Sequence, residues 1–149
     1  MRRMNRSMMA VAVLIIASLQ LAACGQTQTA AADKPKPAKV EKIDGSEFNR
    51  VTLTEKAAQR LSIQTATVSE EQVKGAQRKV IPYAAVVYGL KGETWTYTNP
   101  APLTFVRQPI TIDYIEGDKV VLVDGPASGT AVVTVGVAEL YGTDTGIGK

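Results

Sequence analysis

Residues 94–138 read TWTYTNPAPLTFVRQPITIDYIEGDKVVLVDGPASGTAVVTVGVA, and the alternation in this stretch decides the fold. Thr94-Trp95-Thr96-Tyr97-Thr98 alternates threonine with aromatic residues, which predicts a half-buried strand with Trp95 and Tyr97 inward and the threonine face solvated. Asn99-Pro100-Ala101-Pro102 breaks it. Leu103 to Arg107 resumes extended structure, and Ile110 to Tyr114 alternates again. Glu116-Gly117-Asp118 turns the chain into Lys119–Asp124. A second turn, Gly125-Pro126-Ala127-Ser128-Gly129, leads into a strand over Thr130–Ala138.

The same punctuation continues upstream. Gly89-Leu90-Lys91-Gly92 predicts a hairpin turn, preceded by a strand candidate over Val80–Tyr88 in which Pro82 demands an edge or a strand start. Ile63–Val68 is rich in threonine and β-branched residues and predicts another strand. Before it, Thr54 can cap a short helix that carries Glu55 in its first turn and places Ala57 and Leu61 on one face. Short strands punctuated every eight to twelve residues predict a mainly β fold, a small antiparallel β-barrel or roll with one short α-helix near its start. The 149 residues suffice for one such domain and not for two. Its expected limits are 48–141, with 142–149 as a flexible tail.

The N-terminus carries an address. Arg2, Arg3 and Arg6 precede the apolar run Ala10–Ala17, and Leu21-Ala22-Ala23-Cys24-Gly25 follows. A basic segment, a short apolar core and small residues before a cleavage point describe a secretory signal. The run from Met8 to Ala23 is interrupted by Ser18 and Gln20 and falls short of the ~20 apolar residues of a membrane span. With cysteine after Leu-Ala-Ala, residues 1–23 resemble a bacterial lipoprotein signal. That resemblance implies cleavage between Ala23 and Cys24 and acylation of Cys24, which would hold the protein to the cell envelope by its acyl chains, facing away from the cytoplasm. Residues 24–47 are polar and include Lys34-Pro35-Lys36-Pro37, the composition of a disordered linker. About twenty residues of such chain would hold the domain on the order of 25 Å from the bilayer.

Composition removes most chemistries. The chain has no histidine, and its one cysteine is Cys24, which excludes Ser-His-Asp and Cys-His sites, His-ligated zinc and internal disulfides. Met1, Met4, Met8 and Met9 all precede Cys24, so the mature segment offers only carboxylates to a metal. Of 17 Lys and Arg residues, three lie in the signal, and the rest match the 14 Asp and Glu residues. A neutral mature chain gives no electrostatic case for nucleic acid. Asp113, Glu116, Asp118 and Asp124 are close in sequence and could bind a hard cation, but Glu116-Gly117-Asp118 and Asp124-Gly125 read as turn chemistry rather than as a cation site. Ser128 lacks the GxSxG setting and has no histidine to activate it. No cofactor is expected, nor an enzymatic activity. Trp95, Tyr97, Phe105 and Tyr114 are core residues by alternation, and otherwise a candidate aromatic surface for a partner.

Taken in order, Val51-Thr52-Leu53-Thr54 with Ala57, Leu61 and Ile63, then Ile81–Tyr88, GETWTY at 92–97, Phe105–Ile110, the Glu116-Gly117-Asp118 turn and Gly129–Gly136 resemble the periplasmic adaptor subunits (membrane fusion proteins) of RND-type efflux systems. In those proteins the two chain ends combine into a membrane-proximal domain, and other domains intervene in sequence. Here only Ser69–Lys79 separates the two halves, so the resemblance is to that domain alone. It implies a non-enzymatic accessory lipoprotein that docks on a membrane transporter or another envelope protein through an unpaired strand edge or exposed apolar residues. The alternative is a lipoprotein that uses the β-roll as a receptor for a small molecule or cell-wall fragment, which requires a concave pocket.

Overall fold

The computed structural model describes residues 36–147, so the expected signal, its cleavage site and the acylated Cys24 lie outside the described residues. The fold is mainly β, as the alternation predicts, and its strands form two antiparallel sheets that do not close into a barrel. In chain order the strands are β1 (Ala38–Lys42), β2 (Asn49–Leu53), β3 (Gln64–Thr67), β4 (Ser69–Val73), β5 (Ala76–Pro82) and β6 (Val87–Tyr88). They continue as β7 (Thr94–Ala101), β8 (Thr104–Pro109), β9 (Thr111–Glu116), β10 (Lys119–Asp124) and β11 (Ala131–Val135). Helix α1 (Glu55–Arg60) follows β2 and helix α2 (Val137–Thr145) follows β11. The larger sheet runs β1-β2-β8-β7-β11-β3 with β6 beside β7, and the smaller runs β4-β5-β10-β9.

Two extended segments pass from one sheet to the other through a single buried residue. Val68 lies between β3 and β4, and Ile110 lies between β8 and β9. At each corner the backbone stays satisfied. Val68 N donates to Thr130 O at 2.9 Å and Val68 O accepts from Gly129 N at 2.9 Å. Ile110 N donates to Thr94 O at 3.0 Å, and Ile110 O accepts from Thr94 Oγ1 at 2.7 Å. A strand can change sheets in this way because no backbone polar group is left unpaired at the bend.

The larger sheet is covered on both faces. Val51, Leu53, Tyr97, Phe105 and Val133 pack with Ala57 of α1 and Leu140 of α2 in one core. Val68, Ile81, Ile110, Val120, Leu122 and Val132 form a second core. Val132 and Val133 are neighbours on β11 and point to opposite faces, so this sheet separates the helices from the smaller sheet.

That layering corrects several sequence expectations. The threonine face of β7 is not solvated: Thr96 is 0 % and Thr98 7 % exposed. It lies on the face covered by the second sheet, where Thr98 Oγ1 donates to Val106 O at 3.0 Å. Alternation identifies two faces but not whether a second layer covers the polar one. β7 runs on through Pro100 to Ala101, near the end of the strand, and the chain turns at Pro102-Leu103, with Leu103 at φ 57°. The expected strand over Val80–Tyr88 is divided by a 3-10 turn at Tyr83–Ala85, with Pro82 ending β5. Proline needs no ladder hydrogen bond there.

The domain also extends beyond its expected limits. Residues assigned to the linker form β1, paired with β2 from Ala38↔Leu53 to Lys42↔Asn49. Residues 142–145, assigned to the tail, belong to α2, and the strand expected over Thr130–Ala138 stops at Val135. The break is Gly136, at φ 85°, where an added Cβ would collide with Ile63 Cδ1. The short helix near the start is as expected, with Thr54 Oγ1 accepting from Ala57 N at 3.2 Å.

Gly136→Ala should therefore lower stability by about 2 kcal/mol, from left-handed strain plus overpacking against Ile63. Gly129→Ala, at φ 86° but in open space, should lose only about 1 kcal/mol. Denaturant midpoints of the two variants, at unchanged slope, measure the difference.

Candidate functional site

At the helix-covered face, one carboxylate gathers three strands. Asp144, in the last turn of α2, has a side chain that is 0 % exposed. Its Oδ1 accepts from Asn49 Nδ2 of β2 at 2.9 Å, and its Oδ2 accepts from the Tyr97 hydroxyl of β7 at 2.8 Å. Arg107 Nε of β8 lies 3.1 Å from Oδ2, with its N–H poorly aligned for a hydrogen bond, so the contact is ionic. Burial, reinforced by the neighbouring Asp144 carboxylate, pushes the Tyr97 phenol far above its usual pKa.

Arg107 extends this cluster to the rings around it. Its guanidinium carbon sits 4.7 Å from the centre of Trp95, 5.2 Å from Phe48 and 5.5 Å from Tyr141. Trp95 and Tyr141 stack at 6.4 Å between ring centres. Cation–π contacts to a partly buried guanidinium restrict the rings and fix the wall they form.

Phe48 and Trp95 face an open groove of about 640 Å³ that is also lined by Glu47, Glu93, Ile110 and Ile112. A smaller hollow of about 160 Å³ lies on the second sheet beside Ser69, Glu71 and Lys119. Lys119 Nζ meets Glu71 Oε2 at 2.8 Å there, and this hydrogen bond holds the Glu71 carboxyl below, and the Lys119 ammonium above, their usual ranges.

The four aromatic residues named from sequence do not form one surface. Tyr97 and Phe105 are 0 % and 2 % exposed and belong to the core, which removes them from any partner surface. Trp95 is half-buried on the groove. Tyr114 is on the other sheet, where Lys74 Nζ lies 4.1 Å from its ring centre. Phe48, Arg107, Tyr141 and Asp144 were missed. The signal for the last two was present as Val137, Leu140, Tyr141 and Asp144, spaced i, i+3, i+4, i+7.

The acidic residues near the turns are dispersed. Asp113 faces Arg78 at 3.7 Å, and Asp124 Oδ1 accepts from Gly125 N at 2.9 Å. Asp118 contributes its backbone carbonyl to Tyr83 N at 2.7 Å, and Glu116 ends β9. Among the described residues, no three His, Cys, Asp or Glu side chains converge on one point. Ser128 is exposed in the loop before β11, and Lys79 Nζ donates to Gly125 O of that loop at 2.7 Å.

Two surface features remain. Tyr83, Tyr88 and Leu90 are exposed together around the β6–β7 turn, the two rings 6.4 Å apart. Burial, with Tyr83 beside it, raises the Tyr88 phenol pKa. The sheet edges also differ in character. β1 carries a Lys39–Glu41 pair at 2.9 Å, β4 carries Glu70 and Glu71, and β9 carries Asp113 and Glu116. β3, Gln-Thr-Ala-Thr, is an uncharged edge.

Comparison with protein-family models, curated proteins and solved structures gives no match.

Asp144→Ala would strand the Arg107 charge and two donors in the interior and should cost about 3–5 kcal/mol in denaturant unfolding. Tyr97→Phe should cost about 1–3 kcal/mol, because it withdraws one donor from a buried carboxylate. The raised Tyr97 pKa also sets a pH dependence. The unfolded phenol loses its proton near pH ~10 while the folded one keeps it, so this contribution is complete below that pH and falls as pH rises. Stability measured across alkaline pH should fall less steeply in Tyr97→Phe than in the parent.

Proposed function

We propose that this chain is a non-enzymatic envelope lipoprotein, an adaptor-like accessory domain that docks on a membrane transporter or another envelope protein. The observation that carries the reading is β3. It is an edge of four residues without charge or proline, whereas the edges β1, β4 and β9 bear charged side chains and the uncharged edge β6 offers only two residues. Charges on an edge strand oppose the addition of a foreign strand, and their absence from β3 leaves its outer backbone groups available to one. The exposed Tyr83, Tyr88 and Leu90 supply the second kind of contact that such docking uses. An acyl anchor on Cys24 would confine the domain to a thin layer and raise its effective concentration beside a membrane partner. In this reading the protein acts by position, and the residues that matter are the anchor and the edge.

A photoreactive amino acid at Thr65 should capture a membrane protein in intact cells, identified by mass spectrometry. Thr65→Lys combined with Thr67→Lys should abolish capture at unchanged stability, and Cys24→Ser should weaken it. Capture that persists in the charged-edge variant would remove β3 from the interface, and loss of nothing in Cys24→Ser would remove the anchor from the mechanism.

A further inference from the structure

The groove at the β6–β7 turn has a lining with a definite chemical bias. Its volume of about 640 Å³ falls within the range of small-molecule sites. Among the described residues that line it, the ionisable ones are Glu47 and Glu93, and the rings are Phe48 and Trp95. Gly89 brings one of each together. The point that a Cβ on Gly89 would occupy lies 2.5 Å from Glu93 Oε2 and 2.5 Å from Trp95 Cη2, so carboxylate and indole both pack down onto the glycine, where no side chain would fit beneath them. Glu93 Oε2 also accepts from Lys91 N at 3.0 Å, which fixes the carboxylate's position.

We propose that this groove binds a small alkylated ammonium cation. A carboxylate beside aromatic rings attracts such a cation by charge and by the ring quadrupole together. The apolar side of half-buried Ile112 suits its methyl groups. A primary ammonium or a hard metal ion fits less well. The former needs several acceptors in place of water, and a calcium-like ion takes six to eight oxygens, against two carboxylates here. Arg107 does not cancel the attraction, because Asp144 at 3.1 Å answers its charge. Its role is to hold Phe48 and Trp95 in place before the ligand arrives. The site is separate from the β3 edge, so it stands or falls independently of the docking reading.

Trp95 is the only tryptophan, so its emission reports on the groove directly. In the full chain, choline should change that emission saturably, and the neutral isostere with carbon in place of nitrogen should bind at least tenfold more weakly. Glu93→Gln with Glu47→Gln should weaken choline at least tenfold while leaving the circular dichroism unchanged. Glu47→Gln alone serves if the paired variant disturbs the turn, and it should then weaken binding severalfold. Isothermal calorimetry gives the same constants without the fluorophore. No saturable response, equal binding of the isostere, unchanged affinity in the folded Gln variants, or calcium displacing choline at equal concentration would each overturn the proposal.

Discussion

The buried carboxylate of Asp144 is the constraint on which the helix-covered half of the domain depends. It accepts from β2 and β7 and faces the charge on β8, so one helical residue touches three consecutive strands of the larger sheet. A charge taken from water in this way is expensive, and a well-packed apolar cluster of equal volume would commonly be at least as stable. What the polar cluster adds is direction. Leu140 alone could slide over an apolar sheet, whereas a carboxylate that must meet an amide, a phenol and a guanidinium has one place to sit. Helix α2 is nine residues long, too short to hold its shape without packing, so its position and its folding are set together.

The same pair links the interior to the surface. Arg107 is neutralised from behind by Asp144 and lies over Phe48, Trp95 and Tyr141. The groove wall is therefore positioned by contacts made on its protected side. Its open side stays free of the protein's own basic groups among the described lining residues, and this is how one cation inside can coexist with an acidic rim outside.

Much of the β structure was legible because period-two alternation and glycine turns are local signals. The Thr54 cap, the Glu116-Gly117-Asp118 turn and most strands from Thr94 onward needed no tertiary information. Three features did. Thr96 and Thr98 are buried because a second sheet lies over them, and an alternating strand looks alike whether its polar face meets water or a layer of protein. β1 has the polar composition and lack of apolar periodicity of a linker, yet an edge strand with one face in water tolerates, and is protected by, charged residues such as Lys39, Glu41 and Lys42. Helix α2 was hidden by Gly136, Gly142 and Gly146 around a short apolar stripe. Its anchor is a single aspartate whose partners lie 37 to 95 positions away, as with Arg107 and Asn49. Long-range polar pairing leaves no periodicity to read.

The sheet edges show how the same backbone can be closed to some partners and open to others. β1, β4 and β9 each present charged side chains, several held in cross-strand or same-strand ion pairs, and any strand added there must strip water from them. β3 imposes no such cost, but it is four residues long and passes through buried Val68 into the other sheet. A partner strand could gain only a few hydrogen bonds before the corner turns the edge away. An edge of that length cannot supply a tight complex by itself, and it does not need to if a membrane anchor has already brought the two proteins together. In the proposed reading, short edge and anchor would be complementary: the first would limit aggregation with chance partners in solution, and the second would make a weak contact sufficient at the membrane.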